Sequence, residues 1–102
     1  MKEIKILPKT GKFAEDKDAA RNIRLSEIIP ALEKEDIVIL DFQGVDSATQ
    51  SFIHALISDI IRKNGTDILE RLIFKNCNST VKKIISIVVD YMQDINENNQ
   101  NK

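Results

Sequence analysis

Apolar positions along the chain alternate between short continuous runs and helically spaced stripes, and the breaks between them carry Gly, Pro and small polar residues. Glu3 to Leu7 (EIKIL) ends at Pro8, which predicts a short first strand. Lys9 to Phe13 contains Gly11 and predicts a turn into a brief second strand. Glu15-Asp16-Lys17-Asp18 opens a helix, with acids where the helix dipole favours them. Ala20, Ile23, Ile28 and Leu32 form its apolar face, with Leu25 and Ile29 beside them. Pro30 lacks an N–H, so it interrupts this helix or restarts a final turn. Asp36 to Phe42 (DIVILDF) is nearly continuously apolar and rich in Ile and Val. That run predicts a central strand covered on both faces, with Val38 and Leu40 on one and Ile37 and Ile39 on the other.

Downstream, Ile53, Leu56, Ile57, Ile60 and Ile61 repeat at helical spacing and predict a helix over Gln50 to Asn64. Gly65 stands where a C-terminal glycine cap belongs. Arg71 to Asn76 (RLIFKN) is a further strand, and Asn78 or Ser79 can cap a last helix. Val81, Ile84, Ile85, Val88, Val89 and Met92 form that helix's stripe. Strands alternating with helices predict a small α/β domain, with a central mixed or parallel sheet of about four strands and about three helices. Right-handed crossovers would make the later strands parallel. Residues 1–95 read as a single domain and 96–102 (NENNQNK) as a polar, frayed tail.

Composition narrows the function classes. The chain has 102 residues, of which 42% are hydrophobic and 5% aromatic, with no Trp, so the core is aliphatic. The 15 basic and 16 acidic residues leave a net charge of -1, which argues against a nucleic-acid binder. A single cysteine, Cys77, excludes an internal disulfide framework. Cys77 and His54, one of each type, do not make a zinc site. The N-terminal residues lack the apolar run of a signal peptide, and no stretch has the length of a membrane span. A cytoplasmic location is the expectation, and no cofactor is implied.

The stretch DIVILDFQGVDSATQSFIHALI (Asp36 to Ile57), preceded by a helix and followed by a glycine, a short strand and a last helix, resembles the STAS fold. That is the domain of anti-sigma-factor antagonists and of sulphate-transporter tails. Within it, LDFQGVDSATQSF is most similar to a bacterial STAS-like family of unknown function. The resemblance covers roughly Ile23 to Met92. In anti-sigma antagonists the corresponding helix opens with Asp-Ser-Ser-Gly, whose first serine is the phosphoacceptor for a partner kinase. Placed on this chain, the motif falls on Thr49-Gln50-Ser51-Phe52. Gln50 then occupies the phosphoacceptor's place, Ser51 alone matches a motif serine, and Phe52 replaces the glycine. The resemblance further implies a protein partner, either a histidine-kinase-like ATPase or one of anti-sigma type.

The candidate contact residues are Ser47, Thr49, Gln50, Ser51 and His54. Ser51 and Thr49 lie at a helix start, where hydroxyls cap backbone N–H groups. Phosphorylation of Ser51 is the competing reading, and a helix N-terminus would tolerate the added charge. Ser47 reads as a turn residue. Asp41 and Asp46 bring to mind a phospho-aspartate receiver, but Leu7-Pro8-Lys9 stands where a receiver carries an acidic pair. Asp41 is therefore read as bonding neighbouring backbone or facing solvent. His54 lacks an aligned nucleophile and reads as a rim residue. Cys77 reads as a partly buried structural thiol. With no metal set, nucleophile–base pair or phosphate loop in the sequence, the expected function is non-catalytic regulation by protein binding. Two alternatives remain: a phage or mobile-element inhibitor of a host protein, and a small-ligand or enzymatic module.

Overall fold

Val38 to Asp41 forms strand β3, the middle of a three-stranded sheet in the order β1-β3-β5. The computed structural model describes the backbone of residues 1–100 and the side chains of residues 1–94. The tail expected over 96–102 lies outside the residues described in full. β1 (Lys2–Lys5) and β5 (Leu72–Lys75) flank β3, and both pair with it in parallel. The parallel order follows from the helical crossovers between the three strands. A separate two-stranded ribbon joins β2 (Phe13–Ala14) to β4 (Ser47–Ala48), also in parallel.

The first strand is shorter than its sequence suggests. Leu7 opens α1 (Leu7–Thr10), a single helical turn. Pro8 lies in that first turn, where its missing N–H costs nothing. The helix expected after Glu15 is divided. It runs as α2 (Lys17–Ile23), then a widened π turn over Arg24–Ile28, then α3 (Ile29–Lys34). The Ile29 N–H bonds the Arg24 carbonyl across that wide turn, one residue before Pro30. A regular helix would press the proline ring on the carbonyl four residues earlier, and the wide turn relieves the clash. The chain continues through α4 (Gln50–Asn64), a 3-10 segment (Thr66–Glu70) and α5 (Ser79–Gln100).

The sheet has one covered face and one open face. Val38 pairs with Leu72, and Leu40 lies between Ile4 and Phe74, all on the covered side. Val38 and Leu40 are fully buried there. The opposite side carries the rows Glu3–Ile39–Ile73 and Lys5–Asp41–Lys75. Ile37 and Ile39 are only half-buried, and Ile73 is 43% exposed. The expectation of a central strand covered on both faces is thus corrected. The helices bury one side of β3, and on the other the ion pair Glu3–Lys75 (2.8 Å) reaches across β3 from the two outer strands.

On the covered side, α4 packs against both α2 and α5. Phe52, Ile53, Leu56, Ile57, Ile60 and Ile61 of α4 join Phe42, Leu40, Ile28, Val81, Val88 and Met92 in one core. Gly65, at φ 80°, caps α4 by donating its N–H to the Ile61 carbonyl at 2.7 Å. Arg71 closes the base of the sheet, donating to the carbonyls of Leu32, Glu35 and Asp36 at 2.6–2.9 Å.

The two faces should answer mutation differently. Leu40→Ala is expected to destabilise the domain by about 2–5 kcal/mol, the range for truncating a buried leucine. Ile73→Thr keeps a strand-forming side chain on the open face and should change stability by no more than about 0.5 kcal/mol. Urea denaturation of both variants checks the contrast, and a large loss in Ile73→Thr would mean that the second face is covered.

Candidate functional site

The loop from β3 into α4 is fixed by backbone bonds on one side and one side chain on the other. Its first bend contains Gly44, at φ 86°, where a Cβ would come within 2.7 Å of the Leu7 side chain of α1. Glycine therefore serves both the backbone conformation and the close approach. The N–H groups of Asp46 and Ser47 both bond the Lys12 carbonyl, at 2.8 and 3.3 Å, and the Thr49 N–H bonds Ala14 O at 3.0 Å. Ser47 is thereby a half-buried strand residue of β4, not the turn residue its sequence setting suggests. From the other side, the Asn78 amide donates to the carbonyls of Asp46 (2.8 Å) and Val45 (3.4 Å). The same side chain's Oδ1 accepts from Val81 N–H at 2.8 Å, so Asn78 also caps α5.

These bonds aim the start of α4. Thr49 is its N-cap, and its Oγ1 accepts from Phe52 N–H at 3.0 Å. Gln50 and Ser51 follow in the first turn, both exposed, and that turn contains no acidic residue. Of the two hydroxyl residues at the helix start, Thr49 does the capping and Ser51 faces outward.

Beside this helix start lies an open groove of about 440 Å³, lined by Gln50, Ser51, His54 and Ala55 of α4, Lys17 of α2, and Ile87, Val88 and Tyr91 of α5. His54 is half-buried, with its ring 6.3 Å from that of Tyr91 and tilted to it by 48°. Ile87 is 39% exposed and Tyr91 55%. The structure thus joins three of the sequence candidates, Gln50, Ser51 and His54, in one groove. Ser47 and Thr49 are not among its lining residues.

Lys17, Ile87 and Tyr91 were not foreseen as site residues. A signal for two of them was available. Ile87 and Tyr91 stand four residues apart, off the stripe of Val81, Ile85, Val88 and Met92 that enters the core. An apolar pair outside a helix's buried stripe marks a second contact face. Lys17 had no such signal, because only the packing of α2 on α4 brings it there.

The remaining polar candidates have structural work. Asp41 is buried, and its Oδ1 accepts from Gln43 N–H at 2.9 Å and from the Asn76 amide at 3.0 Å. The bond from Asn76, then that from Gln43, holds its carboxyl below the usual value of 3.8, against the opposing effect of burial. Cys77 is half-buried, and burial pushes its thiol above the ordinary value, away from the reactive thiolate. Among the described residues no group of His, Cys, Asp or Glu is placed to hold a metal ion, and no helix is long and apolar enough to cross a membrane.

The three-stranded parallel sheet with its helices defines an α/β domain, and comparison with known proteins gives the family. Residues 20–82 match the family described as a STAS-like domain of unknown function (DUF4325), and the chain belongs to it. No curated protein and no solved structure matches the chain.

Removing the cap hydroxyl in Thr49→Ala should cost about 1 kcal/mol, and Ser51→Ala should leave stability nearly unchanged. Chemical denaturation of the pair distinguishes the capping residue from the outward-facing one. Asp41 gives a pH signature. Its folded-state value lies below the unfolded one, so its contribution is complete above the unfolded value and is lost as pH falls through the folded value. The stability difference between wild type and Asp41→Asn should therefore shrink as pH falls from about 5 towards 2. Denaturation curves across that range check it, and a constant difference would contradict the assignment.

Proposed function

We propose that this chain regulates a protein partner by binding it through the start of α4, and that it catalyses no reaction of its own. One observation carries the reading. The outward residues of the first α4 turn, Gln50 and Ser51, open onto the same groove as His54, Ile87 and Tyr91. Its volume lies within the range of small-ligand pockets, but the groove is open along its length. An open groove with exposed apolar side chains and a polar rim suits a protein surface better than an enclosed ligand.

Membership of the STAS-like family supports a partner at this position, and the resemblance to anti-sigma antagonists points to a histidine-kinase-like ATPase or an anti-sigma-type protein as the class. Gln50 stands where those antagonists carry a phosphoacceptor, so we take binding to be constitutive. Ser51, exposed beside it, is the residue through which phosphorylation would act. A phosphate there adds charge at a helix start that tolerates it, so the change falls on binding and leaves the fold intact. The near-neutral charge argues for a protein partner over nucleic acid. A lone cysteine without disulfides suits a cytoplasmic setting.

The test is capture of the native partner on the full chain, followed by binding titrations with folded variants. Ser51→Asp and Gln50→Trp are each expected to keep the wild-type melting transition and to weaken binding by about 2 kcal/mol or more. Undiminished affinity in both variants would place the interface elsewhere. Turnover by the purified chain in a broad hydrolase and nucleotidase screen would overturn the non-catalytic reading.

A further inference from the structure

The chemistry of the groove restricts what can fill it. Its floor and outer wall are apolar, formed by Ala55, Val88 and Ile87 with the Tyr91 ring. A groove volume of about 440 Å³ gives room for a large apolar side chain with the backbone that carries it. Lys17 is the single charged residue among those lining the groove, and no carboxylate of the described residues lines it. Lys17 forms no ion pair among the described residues, although cations elsewhere in the fold, such as Lys9 with Glu27 and Lys75 with Glu3, do. Of the acids beside it in the chain, Asp16 is occupied, accepting from Asp18 N–H at 2.9 Å as the α2 N-cap. Neither Asp16 nor Asp18 lines the groove. The first turn of α4, on the facing wall, contains no acid to offset the positive end of its dipole.

We propose that the groove takes an acidic segment of the partner protein, one that seats a large apolar side chain on Ala55, Ile87 and Val88 and sets a carboxylate against Lys17. This rests on the protein-binding reading above and adds the chemistry of the occupant. The apolar anchor supplies the larger share of affinity, because it removes exposed Ile87 and Tyr91 surface from water. The carboxylate selects among apolar segments. A basic residue in its place would meet Lys17 and the dipole with like charge.

The experiment uses the full chain as bait for a displayed library of random linear peptides, with the enriched peptides then synthesised and titrated. Enriched sequences should pair a large apolar residue with Asp or Glu. Ile87→Ser should weaken all of them. Lys17→Glu should weaken them roughly fivefold or more and favour versions with Lys in place of the acid. Amide chemical shifts of the wild-type chain should move at Lys17, Ser51, His54 and Tyr91. The proposal is overturned if no peptide is enriched, if those enriched carry no excess of acid, or if their affinity is unchanged in Lys17→Glu. If the captured native partner loses affinity in Ser51→Asp and Gln50→Trp but not in Lys17→Glu, the interface stands and the acidic occupant falls.

Discussion

The wide buried surface of α4 is the constraint from which the rest of this fold follows. Phe52, Ile53, Leu56, Ile57, Ile60 and Ile61 cover more of the helix than a sheet face alone can bury. Helices must therefore flank it, and α2 and α5 do so. With the helices gathered on one side of a three-stranded sheet, the other side is left with Ile39 beneath the Glu3–Lys75 pair. A parallel sheet ordinarily has both faces covered. Here alternating charges on the outer strands, Glu3 and Lys5 on β1 and Lys75 on β5, let the second face meet water.

A core helix held this firmly needs its N-terminus aimed, and the loop before it has too few residues to do so alone. The β2–β4 ribbon supplies backbone partners from one side, and Asn78 supplies a side-chain amide from the other. Because Asn78 also caps α5, the start of α4 and the start of α5 are tied through one residue. The groove lies between the start of α4 and the stretch Ile87–Tyr91 further along α5. Its polar rim comes from the α4 start and its apolar wall from α5.

Much of the site could be read from the chain. The polar loop before an apolar helix marked Gln50 and Ser51, and their outward position follows from Thr49 taking the capping role. His54, one residue after core Ile53, belonged on a rim by helical geometry, and it lies there half-buried. The reading fell short where side chains from distant segments meet. Ile87 and Tyr91 stood out as apolar residues off the core stripe, but nothing local ties them to His54. Lys17 belongs to a helix start whose own sequence says only that acids flank it.

The sequence by itself determined the alternation of strands and helices, the placement of α4 and α5, the cap at Gly65, a cap for α5 at Asn78 or Ser79, and the STAS-like class. Each is a local matter, since hydrophobic period, backbone conformation and cap chemistry are set within a few residues. Only the tertiary structure decided that β3 is covered on one face, that Pro30 is accommodated by a π turn, and that Ser47 joins a second, separate ribbon. An apolar run in a strand fixes which residues want burial, but burial itself depends on how many helices there are and on which side they cross. The groove is of the same kind. Lys17, His54 and Tyr91 come from three helices, and they adjoin because α4 is packed between the other two.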